Sequence, residues 1–135
     1  MGTIKIDTEE FRIIAAFENI TKVHPKDCLV SDNSIYFLVD SEKIGLAIGK
    51  GGIKIKEVSK KLGKNVKLFE YSKDPQTLIK NMVPTADNIE ISGDEVKISV
   101  PMKERSAVIG RGGKNINIIK EFLNRHCGIK SIRIK

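Results

Sequence analysis

Residues 48–52 read IGKGG, and residues 109–113 read IGRGG. In each, three glycines within four positions surround one basic residue, although the flanking sequence has helical spacing. Glycine is costly inside a helix and tolerates left-handed backbone, so each stretch marks a corner between two helices. Sliding the chain against itself by 61 residues superposes the two stretches and much of what surrounds them. Val39/Val100, Ile55/Ile116 and Leu62/Leu123 coincide, and Lys50/Arg111, Val58/Ile119 and Lys64/Arg125 are conservative pairs. That period is too long for a solenoid and suits two small tandem domains, expected at residues 1–73 and 74–135.

The same order of elements is legible in both halves. Residues 28–39 hold two strand-like runs around Asp32, Asn33 and Ser34; residues 89–100 repeat them around Ser92, Gly93 and Asp94. A short helix follows in each half, over 41–48 and 102–109, and stops at the first glycine. Beyond the glycines, Ile55, Val58 and Leu62 fall at helical spacing, as do Ile116, Ile119 and Leu123, with Phe122 widening the second stripe. Closing strands are expected over 66–71 and 129–134. A leading helix over 9–23 starts from Thr8 as N-cap and places Phe11, Ile14, Phe17 and Ile20 or Thr21 along one side. Asp74-Pro75 opens a shorter counterpart that ends by Pro84. The fold class is therefore α+β, with a three-stranded sheet covered by helices in each half.

The net charge is +7 with a pI near 9.4, and its distribution matters more than its total. Residues 50–67 contain seven lysines against Glu57 alone, and residues 103–135 contain nine Lys or Arg against Glu104 and Glu121. The remainder is acidic, with eight bases against fourteen acids. Positive charge thus gathers around the two glycine stretches, which points to a polyanionic partner. Cys28 and Cys127 form no CxxC pair, so neither a zinc site nor a disulfide framework is expected, and a reducing cytoplasm is the expected location. Residues 1–11 lack the pattern of a secretion signal, Ile6 breaks the myristoylation pattern, and no apolar run approaches a membrane span.

A helix N-terminus presents backbone N–H groups and a partial positive charge, and glycine lets a phosphate come close. A lysine or arginine inside the loop adds a full charge. A tight helix corner would also use glycine, but the duplication, with a basic residue in the same slot, favours phosphate. A nucleotide-hydrolysing loop is excluded because Gly45 and Gly49 enclose only three residues and Gly51 stands where a hydroxyl belongs. The dinucleotide fingerprint fails at Lys54 and Asn115, which occupy the place of its third glycine. His24 near Cys28 and His126 beside Cys127 lack an orienting partner, so no enzyme, metal or cofactor is expected.

With these elements in hand, each half resembles a KH domain, the K-homology RNA-binding module, in its prokaryotic (type II) order. The motif residues are Ile48, Gly49, Lys50, Gly51 and Gly52, then Ile109, Gly110, Arg111, Gly112 and Gly113. Two such domains covering almost the whole chain are similar to the archaeal NusA-like family of transcription elongation and termination factors. The resemblance implies single-stranded RNA gripped at both glycine loops, with phosphates near Lys50, Lys54, Arg111 and Lys114. Ile48, Ile53 and Ile109 would line the grooves, and Asn115 would complete the second site. The absence of Trp and the count of seven aromatics disfavour folds that stack bases on exposed rings. The expected role is regulation of transcription elongation, termination or antitermination by a cytoplasmic monomer, with RNA polymerase as a further candidate partner. A KH-fold protein-docking module or a ribosome-associated RNA-binding protein is the alternative.

Overall fold

Strand-forming sequence is concentrated in the stretch SIYFLVD, and this stretch becomes the centre of the first sheet. The computed structural model describes residues 8–135; the expectations placed on residues 1–7 lie outside them. Strand β1 (Asp27–Val30) pairs antiparallel with β2 (Ser34–Asp40), which pairs parallel with β3 (Asn65–Tyr71). Ile35, Tyr36, Phe37, Leu38 and Val39 are all buried, as expected of a strand with neighbours on both sides. Parallel pairing cannot be closed by a hairpin and requires a crossover. Helices α2 (Ser41–Ile48) and α3 (Ile53–Leu62) are that crossover, and the glycine stretch is the corner between them.

Helix α1 (Thr8–Thr21) completes the core of this half. Ile13, Phe17 and Thr21 are its buried residues, and the Phe17 ring stacks on Phe37 at 4.1 Å between centroids. Ala47 from α2 and Val58 from α3 join Ile35, Phe37 and Val39 in the same cluster, with Ile44, Ile55 and Leu62 packed half-buried against it. The expected stripe on α1 needs one correction: Phe11 is 68% exposed, and Ile13 takes its place. Phe11 lies six residues before Phe17, about 120° round a helix of 3.6 residues per turn, and so off the core face.

The second half repeats the scheme. Helix α4 (Pro75–Met82) is capped by Asp74, whose carboxylate accepts from the Thr77 backbone amide at 3.1 Å. Strands β4 (Asn88–Ser92) and β5 (Glu95–Ser99) are antiparallel, and β5 pairs parallel with β6 (Ser131–Ile134). The crossover runs through a 3₁₀ turn (Met102–Glu104), α5 (Arg105–Ile109) and α6 (Lys114–Cys127). Leu78, Ile79, Val96, Ile98, Ile119, Phe122 and Leu123 are buried. Six α-helices and two three-stranded sheets thus make up the described residues, and the chain separates into two compact units, one ending at Tyr71 and one running from Ser72 to Lys135.

The repeat is not rigid along its length. Its 61-residue register holds through both glycine stretches and then slips, because α6 has 14 residues where α3 has 10. The pair Lys64/Arg125 is therefore not a structural equivalence. Lys64 lies beyond the end of α3, with Nζ donating to the Ser31 carbonyl at 3.2 Å, whereas Arg125 is inside α6 and pairs with Glu121 at 3.0 Å.

Helix α1 ends without a glycine. Lys22, at φ 63°, is the only non-glycine residue with positive φ among the described residues, and its amide donates to the Glu18 carbonyl at 2.8 Å. A left-handed residue at this position normally is glycine, because a Cβ strains the backbone there. Lys22→Gly should therefore stabilise the fold by roughly 0.5–1 kcal/mol after glycine's own entropy cost, measured as a rise in the urea midpoint at unchanged slope.

Candidate nucleic-acid interface

The corner between α2 and α3 is built from backbone conformations that side chains resist. Gly49 ends α2 at φ 77°, its amide donating to the Gly45 carbonyl at 3.0 Å, and Gly51 and Gly52 follow at φ 65° and 75°. The second corner reproduces this: Gly110, Gly112 and Gly113 lie at φ 78°, 64° and 79°. Gly51, Gly52, Gly112 and Gly113 are left-handed, where a non-glycine residue would cost about 1–2 kcal/mol, whereas Gly49 and Gly110, at ψ 168° and 166°, lie in a region essentially confined to glycine.

The glycines divide into two kinds. A Cβ on Gly49 would lie 2.8 Å from Lys54 Cγ and 3.0 Å from its backbone nitrogen. On Gly110 it would lie 2.8 Å from both Cβ and the backbone nitrogen of Asn115. These first glycines allow the following helix to start close against the corner. Gly51 and Gly112 are different, because a Cβ on either would meet nothing within 4 Å. The middle of each loop is thus a bare peptide turned toward open space. Lys50 and Arg111, one residue earlier, are exposed as well.

Immediately beyond the glycines, α3 and α6 begin without side-chain caps. The amides of Ile53 and Lys114 donate to the carbonyls of Lys50 and Arg111 in the loop itself, and the positive end of the helix dipole lies at the same place. Each corner therefore juxtaposes an exposed glycine peptide, a cation and an uncapped helix start, which is an arrangement suited to an anion.

The two corners differ in their flanks. In the first, Leu46, Ile48 and Ile53 are 48%, 38% and 58% exposed, and Lys54 is half-buried. In the second, Ile109 is half-buried, and an exposed Lys114 stands in the place of Ile53. Asn115 has a role that its spacing does not reveal: its side-chain amide donates to the Val108 carbonyl at 2.9 Å, tying the start of α6 to the end of α5. Leu46 was not singled out by spacing, since only its exposure beside the corner sets it apart.

The other chemically suggestive residues are placed elsewhere. His24 Nδ1 pairs with Glu18 at 3.1 Å on the surface, and Cys28 is buried. Burial pushes the Cys127 thiol above its ordinary pKa, which suppresses its nucleophilic form at neutral pH. Among the described residues no helix is long and apolar enough to cross a membrane.

A helix–glycine–helix crossover joining parallel strands of a three-stranded sheet is the arrangement of the KH-domain class, and residues 12–98 match the model of the KH domain. The probable transcription termination protein NusA of Methanocaldococcus jannaschii is 35% identical over 99% of this chain and 76% of its own length. The protein of that name in Thermoplasma acidophilum is 28% identical over 100% of this chain and 98% of its own. The crystal structure of APE1850 superposes with a TM-score of 0.75 at 35% identity, covering 96% of this chain and all of that one. The chain belongs to the family of NusA-like KH proteins.

The two kinds of glycine should respond differently to a methyl group. Gly112→Ala should cost about 1–2 kcal/mol from left-handed strain alone. Gly110→Ala should cost roughly 1–3 kcal/mol more, because its Cβ also collides with the backbone of α6. Thermal or urea unfolding of the two variants checks the order.

Proposed function

We propose that the protein binds single-stranded RNA through both glycine loops and acts, without catalysing a reaction, in the control of transcription elongation, termination or antitermination. On this reading both halves are type II KH domains, residues 1–73 and 74–135. The observation that carries it is the open peptide at Gly51 and again at Gly112, each beside an exposed cation and an uncapped helix start. A phosphodiester can rest against that peptide without meeting a Cβ. Its oxygens accept from the helix amides, while Lys50 and Lys54, or Arg111 and Lys114, supply positive charge.

Two modest sites on one chain strengthen each other through effective concentration, which suits a ligand as long and flexible as a transcript. Relatives named as probable transcription termination proteins support placing that ligand in the transcription cycle, with RNA polymerase as a further partner. Affinity held by phosphates also sets a salt dependence. For single strands the logarithm of the binding constant falls by about 0.7 per phosphate for each logarithm of salt, so four cations imply a slope near −3.

Lys50→Asp combined with Gly51→Asp places negative charge and side-chain bulk at the open peptide, and Asp tolerates left-handed backbone better than most residues. Fluorescence anisotropy with a 12-nucleotide RNA should show at least about a tenfold loss for the first-loop variant. The matching change at Arg111 and Gly112 should behave alike, and the two together should remove most binding while the circular dichroism spectrum is retained. Unchanged affinity in the combined variant defeats the reading.

A further inference from the structure

Helix α5 has five residues, too few to hold its shape without help, yet it carries the second glycine loop on its end. Two side chains tie it down. At its start, Arg105 Nη2 donates to the Ile134 carbonyl of β6 at 3.3 Å. At its end, Asn115 donates across the loop to the Val108 carbonyl at 2.9 Å, one of the last carbonyls that a helix leaves without an internal partner. The corner is thereby fixed to the sheet through α5 on one side and to α6 on the other.

The first half has neither tie. In the 61-residue register, Ile44 stands at the position of Arg105 and Lys54 at that of Asn115. Ile44 has no donor to offer and packs half-buried against the core. Lys54 makes no hydrogen bond or ion pair among the described residues. Helix α2 is therefore held through the packing of Ile44 and Ala47. Apolar packing is non-directional and fixes contact more than angle, whereas a hydrogen bond across a corner fixes both.

We propose that the two loops are unequal grips: the second is set in its binding geometry before the ligand arrives, and the first takes up its geometry on the ligand. Arg105 and Asn115 are positioning residues for the second loop. This deepens the RNA-binding reading and rests on it. A preformed loop loses less freedom on binding, so each tie contributes to affinity without touching the strand.

Backbone amide NMR relaxation and RNA titration of the full chain test this together. In the free protein, order parameters at Gly112 and Gly113 should exceed those at Gly51 and Gly52. Adding the 12-nucleotide RNA should raise order at the first loop and leave the second nearly unchanged. Asn115→Ala should lower order at the second loop to first-loop values and weaken RNA binding about fivefold, the scale of one hydrogen bond. Arg105→Met keeps the aliphatic stem and should act in the same direction with the salt slope unchanged, whereas a lost phosphate contact would reduce that slope by about 0.7. It also carries the same measurements if Asn115→Ala does not fold. Equal order in the two free loops overturns the inference, as does loosening of the second loop without loss of affinity. Affinity lost while the free loop stays ordered, or with a reduced slope for Arg105→Met, overturns it too, because the side chain is then a contact. If the Asp changes in both loops abolish binding while Asn115→Ala and Arg105→Met leave affinity intact, only this inference falls. If the Asp changes leave affinity unaltered, the RNA reading falls and this one with it.

Discussion

The parallel pairing of β2 with β3, and of β5 with β6, is the constraint from which the rest of each half follows. Two parallel strands side by side cannot be joined by a tight turn, so the chain must leave the sheet, cross it and return. Here the crossing is made by two helices, and a pair of helices that both pack on one small sheet needs a sharp corner. The first glycine of each loop makes the corner possible by removing the Cβ that would strike the next helix. A loop with that conformation exposes its middle peptide as a consequence. The surface proposed to meet RNA is thus a by-product of how the sheet is closed.

Electrostatics then acts on a surface that the backbone has already shaped. The two basic blocks include the corners and the helices that follow them in the sequence, and the remainder of the chain is acidic. Neither corner uses a side-chain cap on the helix that follows it. The loop carbonyls of Lys50 and Arg111 take the first amide of each helix, and no side chain covers the positive end of the dipole beyond them, which suits an anion there.

Duplication has preserved the corner more faithfully than its surroundings. The φ values of matching glycines agree within a few degrees, yet one corner is flanked by exposed Leu46, Ile48 and Ile53 and the other by Lys114 and the Asn115 lock. Backbone geometry is constrained by collisions that any substitution would meet. Exposed flanks have no such restraint, so they are where the two halves can acquire different duties.

Much of this was determined by the sequence alone. The order of elements, the two glycine corners, the amphipathic stripes on α3 and α6 and the concentration of positive charge are all periodic or compositional features, and these survive folding unchanged. What only tertiary structure decided concerns proximity. Phe11 looked like core until the helix angle relative to Phe17 turned it outward, and Lys64 and Arg125 looked equivalent until the extra turn of α6 separated them. Spacing placed Asn115 at the second loop, and only the fold added that its amide donates to the Val108 carbonyl seven residues back. The distinction between Gly110, which has no room for a Cβ, and Gly112, which has ample room, is likewise invisible in the string IGRGG. Sequence spacing reports which residues share a face, whereas the distance to an atom brought close by the fold is set only when the helices and strands have packed.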